Sequence, residues 1–242
     1  MFTALVSLAV AGRPTASPVA NTAELRARLA ASTSAGGSLD IPLQEGATFA
    51  LNGRELHVEA ERSNILLFGE GRGATIDAAG LSRALHLGGN GSLTLQNVYI
   101  VNGVADVGGC VLVDSDAAQL SLFEVGIANC TASEGGGLAA KNGTVEMEDS
   151  RIVGCIANSE VAMKGNAVGG GMLIGERASA ELRRTTIVNC SAMLGSHDPS
   201  DSAGGGGLFV ASTKAVTLID CELSHCSASS PDVSAAGGGK PA

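Results

Sequence analysis

One short segment recurs five times along this chain, and this repetition constrains the fold more than any other feature. Each copy runs from a Leu or Met, through alternating apolar residues, to an Asn, Gly or Cys, and a glycine cluster with an apolar triplet follows. The copies begin at Leu95, Leu122, Met147, Leu182 and Leu218. A unit this small cannot bury its own apolar face, so self-similarity at this period predicts a solenoid.

The apolar residues within each unit alternate in short runs. Leu93 and Leu95 form one such pair, Val98 and Ile100 a second, and the pair that follows each glycine cluster a third. Period-two alternation interrupted by Gly, Asn and Asp is typical of short strands and turns. The sequence therefore predicts an all-β fold, a single-stranded parallel β-helix of about seven coils with three short strands per coil.

Equivalent residues of successive coils should lie directly above one another, because each strand pairs with its copy one coil later. One column is expected to contain Cys130, Cys155, Cys190 and Cys226, at a bend that admits small side chains. The residues just before such positions include Asn102, Asn129 and Asn189. Asn tolerates a left-handed backbone and forms local hydrogen bonds, so we predict a structural ladder of stacked amides beside the cysteines.

The chain contains six cysteines, and their spacing predicts no metal site. No Cys-x-x-Cys pair and no matching histidine pattern is present, which argues against zinc. Adjacent members of the column would lie within disulfide reach, but their parallel side chains make the geometry awkward. Free, buried thiols are the favoured interpretation, disulfides the alternative, and Cys110 is expected to replace a turn glycine.

The ends of the chain differ from the repeats. Residues 1–20 are interpreted as a signal segment or a disordered leader, since Phe2 to Ala11 is apolar and ends in Ala-Val-Ala. Asn21 and Glu24 have capping-box spacing, so a helix over 21–31 is expected to cover the open first coil. The β-helix domain is assigned to 21–239, and the tail 240–242 breaks off inside a new unit, as in a truncated chain.

Bulk composition excludes some partners. The net charge of −9 argues against nucleic acid, whose binding depends on Lys and Arg contacts with phosphates. No apolar stretch has the length of a membrane span. The oligomeric state is left open.

The segment Ser63-Asn-Ile-Leu-Leu-Phe-Gly-Glu-Gly-Arg-Gly-Ala-Thr-Ile-Asp77, followed by Gly80-Leu-Ser-Arg-Ala-Leu85, resembles a segment of pectin-lyase-like right-handed β-helix proteins. The glycine clusters alternating with apolar-x-x-Asn segments are similar to the repeats of polymorphic outer-membrane proteins. The resemblance implies a right-handed helix and a secreted or cell-surface location. It implies no single activity, because this fold carries lyases, hydrolases, epimerases, adhesins and passenger domains.

Carboxylates on adjacent coils are the candidate catalytic groups. Such carboxylates, about 5 Å apart, suit a retaining glycoside hydrolase, or they suit Ca²⁺ binding in a lyase. Outward strand positions are polar in any case, so a purely solvating role is the simpler interpretation. The candidates are Glu146, Glu181, Asp149 and Asp220.

Two long connections, after Cys155 and after Cys190, are expected to emerge at one corner, where repeat proteins commonly bind partners. Their candidate binding residues are Glu160, Lys164, His197, Asp198 and Asp201. The sequence thus favours a non-catalytic extracellular or cell-surface domain of adhesin or passenger type, binding a polysaccharide or a surface protein through these loops. The alternative is a polysaccharide lyase or glycoside hydrolase. No cofactor is expected, apart from Ca²⁺ under the lyase alternative.

Overall fold

The computed structural model describes residues 16–32, 37–60, 63–161, 165–195 and 201–230. The described part contains one helix, α1 (Thr22–Ser32), and otherwise short strands. The strands of the first half are β1 (Ser38–Leu43), β2 (Thr48–Ala50), β3 (Leu56–Ala60), β4 (Asn64–Gly69), β5 (Ala74–Asp77), β6 (Leu85–Gly89), β7 (Ser92–Gln96), β8 (Val98–Val101), β9 (Val111–Val113), β10 (Gln119–Phe123), β11 (Gly126–Ala128) and β12 (Thr131–Ala132).

The strands of the second half follow the same order. They are β13 (Leu138–Glu148), β14 (Arg151–Val153), β15 (Ile156–Asn158), β16 (Ala167–Val168), β17 (Met172–Arg183), β18 (Thr186–Val188), β19 (Ser191–Met193), β20 (Ala203–Gly204), β21 (Leu208–Val210), β22 (Val216–Ile219), β23 (Glu222–Ser224) and β24 (Ser227–Ser229).

All of these strands pair in parallel, and each pairs with its counterpart one repeat later. The seven-stranded sheet has the order β2-β5-β8-β11-β14-β18-β23. A larger sheet contains the row β1-β4-β7-β10-β13-β17-β22 and, beside it, β3-β6-β9-β13-β17-β21. The expected all-β, parallel, solenoid-like arrangement is therefore confirmed, with seven layers in the described residues.

The predicted columns are confirmed by the register. Thr131 pairs with Ile156, Ile156 with Ser191 and Ser191 with Ser227. The four column cysteines each precede one of these residues, so they lie in a single file along the stack.

The strand count per layer differs from the prediction of three short strands. In β13 and β17 two strands of one layer merge into one, with an irregularity in their mutual register between Ala140 and Asn142. A further four-stranded sheet, β12-β15-β19-β24, and the two-stranded sheet β16-β20 lie near the cysteine column. Small side chains such as Ala132 and Ala157 occupy the four-stranded sheet, and they let the chain continue as a strand through the bend.

The core lies between the sheets and consists almost entirely of aliphatic side chains. The burial of β7 alternates, with Leu93 and Leu95 at most 1% exposed and their neighbours partly exposed. Fully burying a Leu side chain contributes about 1.5–3 kcal/mol to stability. Because each layer buries its apolar side chains against the layers on either side, these contacts are the main source of its stability. In the last described layer the equivalent Leu218 is 41% exposed.

The N-terminal helix caps the first layer, as predicted. Asn21 accepts a hydrogen bond from the Glu24 amide at 3.0 Å, which is an N-cap. Leu25 and Leu29 are buried against the core. Val19, within the segment assigned to the leader, is also buried and pairs with Leu43. Residues 1–15 and the assigned tail 240–242 lie outside the described residues.

The asparagine column has the predicted backbone. Asn102, Asn129 and Asn189 have φ of 58°, 57° and 54°, in the left-handed region. Contacts between layers here run through the backbone, because the amide of Asn129 donates to Val153 O and that of Asn189 to Ser224 O. The Asn102 side chain donates to Asp77 at 3.0 Å. Gly154 occupies this column between Asn129 and Asn189, so a continuous side-chain ladder is interrupted there.

The expectation of free thiols is wrong for Cys110 and Cys130, which form a disulfide with each other. Cys110 takes the position that Gly137, Gly171 and Gly207 take in later layers, as expected. A β-carbon on Gly137, Gly171 or Gly207 would lie 3.1, 3.2 or 2.9 Å from the sulfur of Cys155, Cys190 or Cys226, respectively. The sequence argument considered pairs between layers, whereas this contact closes one layer on itself. Cys155 and Cys190 are free and buried, while Cys221 and Cys226 are free and partly exposed.

Candidate functional site

Glu146 and Glu181 are brought together as predicted. They are direct partners in the register of β13 and β17. Glu146 is exposed and accepts a hydrogen bond from Ser121 at 3.4 Å, and Glu181 forms an ion pair with Arg183. The pair therefore lies on an open strand face, where Arg183 partly neutralises its charge.

Asp149 and Asp220 do not lie on that strand face. The five residues of their column all have a left-handed backbone, with φ between 45° and 55°, so the column forms a bend between two strands. The sequence argument placed these residues at outward strand positions, because period-two alternation does not distinguish a polar strand residue from a bend. The column consists of Asn97, Glu124, Asp149, Arg184 and Asp220.

Arg184 is the electrostatic centre of this bend. Its guanidinium donates to both oxygens of Asp149, at 2.7 and 2.8 Å, and also to Glu148. The hydrogen bonds from Arg184 hold the pKa of Asp149 below its usual range, and the same bonds raise the pKa of Arg184. A carboxylate held in its ionised form cannot act as a general acid near neutral pH, so this cluster is unsuited to protonating a glycosidic oxygen.

The long connections emerge one above the other at one corner. The Gly195 amide donates to Ser159 Oγ at 2.9 Å, and the Ser202 amide donates to Asn166 Oδ1 at 3.0 Å. The pairing of β16 with β20 places the returning ends of the two connections side by side. The described parts of the two loops are therefore in direct contact with each other.

The predicted binding residues divide between described and undescribed parts of these loops. Glu160 is exposed and packs over Gly195, where a β-carbon would overlap its side chain, and Asp201 packs over Gly165 in the same way. Lys164, His197 and Asp198 lie outside the described residues.

A further polar cluster was missed by sequence reasoning. His57 and His86 are partners in the register of β3 and β6, and their rings meet edge to face at 4.5 Å. Glu55 joins them, and one potential ligand atom from each of the three residues lies within 4.8 Å of the others. The histidines share no spacing with His197 or His225, but the matching contexts Leu56-His57-Val58 and Leu85-His86-Leu87 would have revealed the pair.

Comparison with known proteins does not assign a family. No family model and no curated protein matches the chain. A crystal structure of Escherichia coli YbhC is similar with a TM-score of 0.46 and 14% identity, over 93% of this chain and 67% of that one. Within the described residues, no helix has the length and apolar character needed to cross a membrane.

Proposed function

We propose that this chain is a non-catalytic binding domain, built as a right-handed parallel β-helix of the pectin-lyase-like type and acting outside the cell or at its surface. The two stacked loops bind a polysaccharide or a surface protein. The observation that carries the proposal is the hydrogen bonding of one loop to the other, Gly195 to Ser159 and Ser202 to Asn166. Such bonds turn two separate insertions into one surface on a rigid scaffold, the usual arrangement for a binding site.

The state of the candidate catalytic carboxylates supports a non-catalytic role. Asp149 is held by two hydrogen bonds from Arg184, and Glu181 is paired with Arg183. Glycoside hydrolysis needs one carboxylic acid whose pKa is raised so that it can donate a proton. The shift of Asp149 has the opposite sign, which places the enzyme alternative second.

The experiment uses the short connection of the preceding layer as a template. Ser133 alone joins Ala132 to Glu134, and these residues align with Ala157 and Val168 in the next layer. In the test variant a single serine replaces residues 158–167, and a second serine replaces residues 193–203. The intact chain and the variant are tested on immobilised neutral and acidic polysaccharides and on extracellular-matrix proteins.

We expect the intact chain to bind and the loop-shortened variant to have lost binding. The variant should retain the far-ultraviolet circular dichroism signal of the sheets. Glu160→Gln tests one loop side chain without altering the backbone, and Glu176→Gln, which changes an exposed carboxylate within β17, is its matched control. Assays for reducing ends and for unsaturated products, with and without Ca²⁺, run in parallel. If the intact chain degrades any polysaccharide and both Glu146→Gln and Glu181→Gln abolish this activity, the proposal is rejected in favour of an enzyme.

A further inference from the structure

We propose that Glu55, His57 and His86 form a binding site for a divalent transition-metal ion of the zinc class. The site lies on the outer face of β3 and β6, away from the corner loops and from the candidate carboxylates. It is independent of the proposed function.

Three potential ligand atoms converge at this site. Oε1 of Glu55 lies 3.5 Å from Nδ1 of His86 and 3.9 Å from Nδ1 of His57. Ligands bound at about 2.0–2.1 Å around a tetrahedral ion lie about 3.3–3.5 Å apart. The two separations from Glu55 are close to this spacing, and one ligand atom from each of the three residues lies within 4.8 Å of the others.

Each ring has a carboxylate beside its other nitrogen. Nε2 of His57 lies 2.6 Å from Glu59 Oε1, and Nε2 of His86 lies 3.0 Å from Asp114 Oδ2. Metal-bound histidines commonly donate their second N–H to a carboxylate, which fixes the tautomer and leaves the first nitrogen free to bind. The His57 ring makes this hydrogen bond, and the Asp114 carboxylate lies at a comparable distance from the second nitrogen of His86, although the two rings come from different layers.

The Glu55 ligand is itself held in place. Its second oxygen, Oε2, accepts a hydrogen bond from Arg83 Nη1 at 2.7 Å, and its backbone carbonyl accepts one from Arg26 at 2.8 Å. The Arg83 guanidinium is only 14% exposed and also donates to Val107 O. Glu55 therefore directs Oε1 at the two rings from both a fixed backbone and a fixed side chain.

The cluster also contains an unsatisfied polar atom and an excess of negative charge. Nε2 of His86 is fully buried but lacks the alignment that a hydrogen bond to Asp114 requires. With neutral imidazoles, the carboxylates of Glu55, Glu59 and Asp114 outnumber the two nearby guanidiniums of Arg83 and Arg26, and a bound cation would offset the remaining negative charge. A metal would also pull the His86 ring into a defined position.

The ligand set indicates the class of metal. Two imidazoles and one carboxylate suit Zn²⁺ and other borderline divalent ions, whereas Ca²⁺ and Mg²⁺ prefer oxygen alone. Three protein ligands leave a fourth position, and the 43% exposure of His57 opens that position to solvent. Water or an anionic ligand would complete the coordination.

The test measures Zn²⁺ binding to the full chain by competition with a chromophoric chelator. We expect one ion per chain and a rise in melting temperature on its addition. His57→Gln and His86→Gln should each weaken binding at least tenfold, and the double variant should abolish it. Asp114→Asn, which changes an orienting carboxylate, should weaken binding by about 10- to 100-fold. His225→Asn, which removes an exposed histidine elsewhere, should leave binding unchanged.

The thiols offer a competing metal site, so the ligand type is measured directly. X-ray absorption of the zinc-loaded wild-type chain should show nitrogen and oxygen ligands with an imidazole signature and no sulfur. This readout does not depend on whether the variants fold. Sulfur ligation, binding retained in the double variant, or no binding by the wild-type chain would each overturn the proposal.

Discussion

Removal of the Cys110–Cys130 disulfide should destabilise this chain by several kcal/mol. The substitution Cys110→Gly is the natural perturbation, because Gly137, Gly171 and Gly207 occupy the same position in later layers. It converts one layer to the pattern of its neighbours and leaves Cys130 as a buried thiol, the state of Cys155.

The magnitude follows from the loop that the bond closes. The two cysteines are 20 residues apart in sequence, and closing a loop of this size lowers the entropy of the unfolded chain by an amount worth about 3 kcal/mol. Loss of the fully buried Cys110 side chain adds about 1 kcal/mol, from apolar burial alone. We therefore expect Cys110→Gly to lower the free energy of unfolding by about 4 kcal/mol, and reduction of the wild type to lower it by about 3 kcal/mol.

The assay is urea unfolding followed by circular dichroism and by a second probe, since the layers of a repeat protein do not always unfold together. Reductant should shift the wild-type midpoint but leave that of Cys110→Gly unchanged. Titration of the unfolded, unreduced wild type should find four thiols, those of Cys155, Cys190, Cys221 and Cys226. Six reactive thiols, or a wild type insensitive to reductant, would refute the reasoning.

Three further predictions address other positions. Gly207→Cys should form a second disulfide with Cys226, because a β-carbon at Gly207 would lie 2.9 Å from that sulfur and would not clash with any backbone atom. Non-reducing peptide mapping would detect the bond, and the additional substitution Cys226→Ser should prevent it. Glu124→Asn should raise the free energy of unfolding by about 0.5–1 kcal/mol, because Asn adopts the left-handed backbone at φ 55° more readily than Glu; a decrease in the urea midpoint would contradict this. The lowered pKa of Asp149 makes its pairing with Arg184 stabilising above the usual Asp pKa of about 4, and this contribution is lost as pH falls through the lower folded value. Asp149→Asn should therefore lose less stability than the wild type between pH 5 and pH 3, and equal losses would show that the pair contributes nothing.

The sequence predicts the layers well because the repeat period determines which residues lie above one another. Parallel pairing places a residue beside its counterpart one repeat later, so the recurring Leu95, Leu122, Met147 and Leu182 become neighbours. The same logic places the four column cysteines in one file and gives Asn102, Asn129 and Asn189 their left-handed bend. These features depend only on position within the repeat.

The candidate site is less accessible to this reasoning, because it depends on irregular layers. His57 and His86 lie in the early coils, where the repeat is weak, so the matching sequences around them are easily overlooked and the pairing of β3 with β6 shows their alignment directly. Arg184 stands in a column that otherwise contains Asn or carboxylates, and only the bend geometry shows that it contacts Asp149.

Sequence alone determined which residues stack along the axis, since the period of the repeat fixes contacts between layers. The tertiary structure decided which residues meet within one layer, as Cys110 meets Cys130 and as Glu55 reaches His57. Those contacts depend on how sharply the chain turns at each corner. The turning angles arise from the backbone conformation of a few residues, such as Asp149, and from the packing of side chains, which the repeat period does not record.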